Sequence, residues 1–144
     1  MSNPATLSKD FTHNRSPSVP SDAAALTGRL LLSAIFIISG LSKLAAPAAT
    51  IGYIESVGLP LAPLGFALAV AVEVLGGFAL IAGYRSRLVA AGLAGFTLAT
   101  ALVFHNDLAD QNQFIHFFKN IAMVGGLLQV VAFGAGRFSL GARQ

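Results

Sequence analysis

The chain has 144 residues, of which 55% are hydrophobic and only 10% charged, with a formal net charge of +3 and no cysteine. A mean hydropathy of +0.73 is more apolar surface than a soluble core of this size can hide, so the solvent for much of the chain is lipid. The missing cysteines exclude disulfides, thiol redox chemistry, iron–sulfur clusters and thiolate metal sites.

Residues 1–25, MSNPATLSKDFTHNRSPSVPSDAAA, are polar and carry no apolar period, so a disordered N-terminal tail is expected there. The first span covers residues 26–45, LTGRLLLSAIFIISGLSKLA, and about 20 helical residues cover ~30 Å, enough to cross a bilayer. Its apolar stretch followed by LAAPAA also resembles a secretory signal. The long polar region ahead of it, and Lys43 before the small residues, favour a retained span. A loop, PAATIGYIESVGLP, leads to a second span over 61–83, closed by the turn GYRSR. The third span runs over 88–104. The polar loop HNDLADQNQ follows, and a fourth span over 115–133 ends at the glycines of FGAGRFSLGARQ. The expected fold is therefore an all-α membrane protein, a four-transmembrane-helix bundle occupying residues 26–144.

Charge sets the orientation independently of hydropathy. Seven of the nine basic residues flank apolar stretches, which speaks for membrane orientation and against a nucleic-acid partner. Lys9, Arg15 and Arg29 precede or begin the first span, Arg85 and Arg87 fill the second connection, and Arg137 and Arg143 follow the fourth. The other two loops hold Glu55, Asp107 and Asp110 and no Lys or Arg. This alternation predicts both termini in the cytoplasm. A faint repeat, EVLGGFALIAGYR against VGGLLQVVAFGAGR, suggests duplicated hairpins.

Within the spans, polar side chains are the candidates for function. Glu73 lies near the middle of the second span, where an ionised side chain costs roughly 2.5 to 3.5 kcal/mol even on the lenient insertion scale. It should face protein, with a partner or a proton. Ala69, Gly76 and Gly77 make its face the smallest of that helix. Lys43 stands near the outer end of the first span, one turn beyond Ser39 and Gly40, and either points inward or snorkels to the headgroups. In FIHFFKNIAMVGG, residues His116, Lys119, Asn120 and Met123 share one helical face. Lys119 has the same snorkelling alternative, and Asn120 suits an interhelical hydrogen bond. His105 closes the third span on the same side. Two loop-end histidines, His105 and His116, are too little for a metal or haem site, and no metal is expected. Glu73 as floor, Lys43 and Lys119 above it, and His105, His116, Ser39 and Asn120 as walls would make a polar pocket opening outward. A buried acid with basic partners is equally the ordinary way to lock a helix bundle.

The ordered set FIISGLSKL, YIESVGLP, AVEVLGG, GYRSR, FKNIAMVGGLL and GAGRFSL resembles the DoxX family of small bacterial membrane proteins, over about residues 27–141. The chain departs at Gly141, where relatives often carry an acidic residue. The resemblance implies a four-helix inner-membrane protein, with Lys43, Glu73, Lys119 and Asn120 at the family's recurring polar positions, and a context of quinone-linked oxidoreductases. It carries no settled activity. Three functions follow as expectations. The first is an accessory subunit that binds a quinone or similar lipophilic molecule and takes electrons from a membrane or peripheral oxidoreductase partner, since the chain has no evident electron carrier. The others are a partner-binding scaffold with a structural Glu–Lys cluster, and a small-solute permease, which with four spans would require a homo-oligomer.

Overall fold

The computed structural model describes residues 19–141. Five helices follow one another: α1 (Val19–Ala45), α2 (Pro47–Ser56), α3 (Ala62–Ala82), α4 (Ser86–Phe104) and α5 (Gln111–Phe133). All but α2 are long and apolar enough to cross a membrane. Large apolar residues such as Leu31, Leu75 and Phe133 point outward, as a lipid-facing surface allows.

Three features differ by more than two residues from expectation, each for a local reason, and α4 begins at Ser86 rather than 88. Helix α1 begins at Val19, so residues 19–25 are helical rather than part of a tail; the rest of the expected tail, through residue 18, lies outside the described residues. Asp22 sits in the first turn, where a carboxylate suits the helix dipole. It is buried and accepts a hydrogen bond from the Arg137 backbone N–H at 3.1 Å. The expected loop after the first span is mostly the short helix α2, started by Pro47, whose fixed φ and missing N–H suit a first turn. Helix α5 starts at Gln111 rather than 115 because the Asp110 side chain caps it, accepting from the Gln113 N–H at 2.8 Å.

Helix α1 packs most extensively on α3, and α4 on α5. The α1–α3 contact depends on glycine. A Cβ on Gly77 would lie 2.7 Å from Ile37 Cγ1 and 3.3 Å from the Ser33 carbonyl oxygen, and one on Gly40 would lie 3.3 Å from the Glu73 Cβ. The two backbones are therefore close enough for short polar side chains to meet between them. The glycine pairs of the sequence repeat are not equivalent: Gly76 meets Leu93 and Gly126 meets Leu32, whereas Gly125 faces open space. A core of Phe36, Leu80, Ala90, Leu93, Ala94, Leu127 and Val130 joins the four long helices.

One end of the bundle is closed by Arg29, 1% exposed. Its Nη1 donates to the carbonyls of Leu80 and Ile81 at 3.1 Å each, and its Nη2 donates to the Phe138 carbonyl. The first two are C-terminal carbonyls of α3 at the negative end of the dipole, and the Leu80 carbonyl also accepts from the Gly83 N–H at 3.2 Å. Gly83 terminates α3 in a left-handed conformation, and a Cβ there would collide with Ser139 and the Arg29 guanidinium. The Leu140 N–H completes the junction by donating to the Ala82 carbonyl at 2.9 Å. The start of α1, the α3–α4 turn and the C-terminal segment thus share one end, called here the arginine end. Helix α2 and the 105–110 loop, with Glu55, Asp107 and Asp110, form the other. This is the even-span arrangement that the charge alternation predicts, and under that expectation the arginine end meets the cytoplasm.

Gly77→Val forces new atoms into the α1 backbone and is expected to cost about 1–3 kcal/mol, read as a lowered midpoint of thermal unfolding in detergent. Gly92→Ala, inside α4 at a position with nothing within 4 Å, should not lower the midpoint, since alanine favours a helix over glycine.

Candidate functional site

Glu73 lies on the α1 side of α3 and is 5% exposed. Lys43, one turn beyond Ser39 and Gly40, turns inward from α1 instead of snorkelling to the bilayer surface. Its Nζ donates to both carboxylate oxygens, at 2.9 Å to Oε1 and 2.8 Å to Oε2. Ser39, one turn earlier, links the pair: its hydroxyl accepts from Lys43 Nζ at 2.8 Å and donates to Glu73 Oε1 at 3.2 Å. The acid, the amine and the hydroxyl form a closed triangle made possible by the close approach at Gly40. Such a pair removes the cost of an isolated charge in a low-dielectric interior.

The triangle borders a cavity of about 720 Å³ between α1, α2, α3, α4 and α5. Ile35, Phe36, Phe96, Val103 and Met123 give it apolar walls. All seven polar residues singled out by sequence line it: Ser39, Lys43, Glu73, His105, His116, Lys119 and Asn120. They do not form one network. Lys119 is exposed, and its Nζ donates to His116 Nδ1 at 2.9 Å rather than to Glu73. His105 Nδ1 donates to Gln113 Oε1 at 2.8 Å. The two imidazoles stack, centroids 5.1 Å apart and planes 21° apart, with His116 Nδ1 engaged by Lys119 on its own helix and His105 Nδ1 engaged by Gln113 across on α5. Two polar groups thus stand in the cavity: the Lys43–Ser39–Glu73 triangle, and the Lys119–His116 pair beside stacked His105.

Asn120 departs from expectation. In place of an interhelical hydrogen bond, its side chain is 9% exposed, borders the cavity and has no hydrogen-bond partner among the described residues. A buried amide with unused donors and acceptors is uncommon where no water or ligand completes it.

Sequence reasoning missed the wall made by α2. Tyr53 packs its ring on Phe104, with centroids 5.5 Å apart, and its hydroxyl donates to the Phe104 carbonyl at 3.1 Å. Ile54 is buried against Gly65 at the start of α3. Pro47 at the start of PAATIGYIES was the available signal for this helix. Thr97 and Thr100 also line the cavity, but their hydroxyls bond to carbonyls of their own helix, Leu93 and Thr97.

Comparison with known proteins places this geometry in a lineage. The DoxX family model matches residues 24–106. The chain belongs to the DoxX family. It is 36% identical over 121 residues to the inner membrane protein YqjF of Escherichia coli K12, covering 83% of this chain and 90% of that one. It is 32% identical over 124 residues to the inner membrane protein YphA of the same organism, covering 82% and 88%. No solved structure matches the chain. With its four candidate spans, this DoxX protein is a multi-pass inner-membrane protein. The matched DoxX region contains Ser39, Lys43, Glu73 and His105; His116, Lys119 and Asn120 lie on α5, beyond it.

The absence of native cysteine makes the cavity directly testable with single cysteine substitutions. Asn120→Cys should react with a charged, membrane-impermeant thiol reagent, whereas Leu75→Cys, at a position 68% exposed on the outer surface of α3, should be protected by lipid. Equal protection of both would show that the cavity is closed to water.

Proposed function

We propose that this DoxX protein is an accessory component of a membrane redox system and holds the head group of a quinone or a similar lipophilic molecule in the cavity between α1, α2, α3, α4 and α5. The observation that supports this reading is Asn120, a residue 9% exposed whose amide has no hydrogen-bond partner among the described residues and which lines an apolar-walled cavity of about 720 Å³. That volume falls within the ~300–1,000 Å³ of small-molecule sites, which combine apolar walls with a few convergent polar groups. A quinone presents two carbonyl acceptors on a flat apolar ring. Asn120 and Lys119 supply donors on one helix turn, Phe96 and Phe104 supply flat apolar surface, and the Lys43–Glu73 pair holds the far wall in place. Electrons would come from a partner oxidoreductase, because a chain without cysteine ligates no iron–sulfur cluster.

One observation favours a second reading, a purely structural polar cluster in a scaffold protein. Lys43 already satisfies both oxygens of Glu73, which is what a bundle lock requires. The two readings separate at Asn120 and Lys119, which are outside the triangle. Protein purified from membranes in mild detergent is extracted with organic solvent, and its quinone is quantified by chromatography. The wild type is expected to retain quinone, and Asn120→Leu and Lys119→Gln to retain at least about tenfold less, the loss of one hydrogen bond to a buried or charged group, with unchanged thermal midpoints. Absence of quinone from the wild type, or equal retention by both variants, would contradict the quinone reading and leave the scaffold.

A further inference from the structure

The arginine end holds a second cavity, of about 600 Å³, between the α3–α4 turn and the C-terminal segment. Arg85, Ser86 and Arg87 line one side, and Gly134, Gly136 and Ser139 the other. Positive-inside bias accounts for arginines at this end but not for their shared recess. Neither guanidinium has a carboxylate or hydrogen-bond partner among the described residues; Arg85 only lies over the Tyr84 ring, its Cζ 5.8 Å from the centroid. Arg87 passes beside Gly134, where a Cβ would stand 3.6 Å from its Nε, at ordinary contact distance across the recess.

Two independent observations point to a ligand. Ser86 is 9% exposed, yet its hydroxyl has no hydrogen-bond partner among the described residues and borders the cavity. The start of α4 is also uncapped: no side chain accepts from it, and no described acceptor takes the N–H groups of Ser86 and Arg87. A 19-residue helix therefore presents the positive end of its dipole and two free donors beside two unpaired cations.

We propose that this cavity binds a phosphate-bearing anion, with Arg85 and Arg87 contacting the phosphoryl oxygens and Ser86 and the α4 N-terminus completing the shell. Free amides at a helix start, a hydroxyl and guanidinium forks match the several acceptor oxygens of a phosphate. At the end of a membrane bundle such a group arrives either as the head group of an anionic phospholipid or as free phosphate, and the chemistry of recognition is the same. Occupation by a lipid would anchor the α3–α4 turn in the cytoplasmic leaflet expected from the charge bias.

The test uses the full chain in detergent. Inorganic phosphate is titrated by calorimetry. Separately, the protein is mixed with equal amounts of phosphatidylglycerol and phosphatidylcholine, and bound lipid is identified by native mass spectrometry. The wild type should bind phosphate or prefer phosphatidylglycerol; phosphate binding identifies a soluble anion, and lipid preference alone identifies a head group. Arg87→Gln and Ser86→Ala should weaken that binding, Arg87→Gln by at least about tenfold, the equivalent of one charge-assisted hydrogen bond. Arg137→Gln, at an exposed position outside the cavity, should leave it unchanged. No binding of either probe, binding indifferent to Arg87 and Ser86, or an equal loss in Arg137→Gln would overturn the proposal.

Discussion

A charged pair at the α1–α3 contact is the constraint to which the rest of the bundle conforms. A carboxylate in the middle of a membrane-spanning helix is costly unless a partner neutralises it. Glu73 gains one only if α1 comes close enough for Lys43 to reach it, and the close approach exists because Gly40 and Gly77 lack side chains. Lipid gives no hydrophobic drive for helices to associate, so packing of small residues and interhelical polar contacts supply much of the specificity. The triangle of Lys43, Ser39 and Glu73 fixes the rotation of α1 against α3. That rotation in turn places Phe36 in the core and leaves space for the cavity toward α4 and α5.

The two ends of the molecule use charge differently. Toward the α2 end, the buried charge of Glu73 is matched by Lys43, and unused hydrogen-bonding capacity belongs to a neutral amide, Asn120. At the arginine end, the buried cation Arg29 is matched by helix-terminal carbonyls rather than by an acid, while Arg85 and Arg87 are left without counter-charge among the described residues. A guanidinium suits the first role because its planar fork reaches several carbonyls at once, which a lysine ammonium does less well. The Arg29 fork ties the C-terminal segment to α3, and that segment forms the opposite wall of the second cavity.

The long helices were legible in the sequence because lipid demands continuous apolar runs, and Glu73 was legible because its cost in lipid leaves few places for it to face. The choice between Lys43 and Lys119 as its partner was not legible: both stand near the same end of their helices, and only the rotation of each helix decides. Helix α2 was hidden by its shortness, since PAATIGYIES offers too few turns for a clear apolar period. Arg29 was hidden by a sufficient simpler reason for its presence, the positive-inside bias; its contacts lie 51, 52 and 109 residues away. Asn120 was legible as a residue needing a partner, but a sequence cannot reveal that the partner is missing from the bundle.

The most direct test of the central contact is the coupling free energy between Lys43 and Glu73, from thermal or denaturant unfolding of Lys43→Met, Glu73→Gln and the double variant in detergent. If the pair governs the α1–α3 contact, the double variant is less destabilised than the sum of the single variants, by about 1–3 kcal/mol. Costs that add to within about 0.3–0.5 kcal/mol would contradict it.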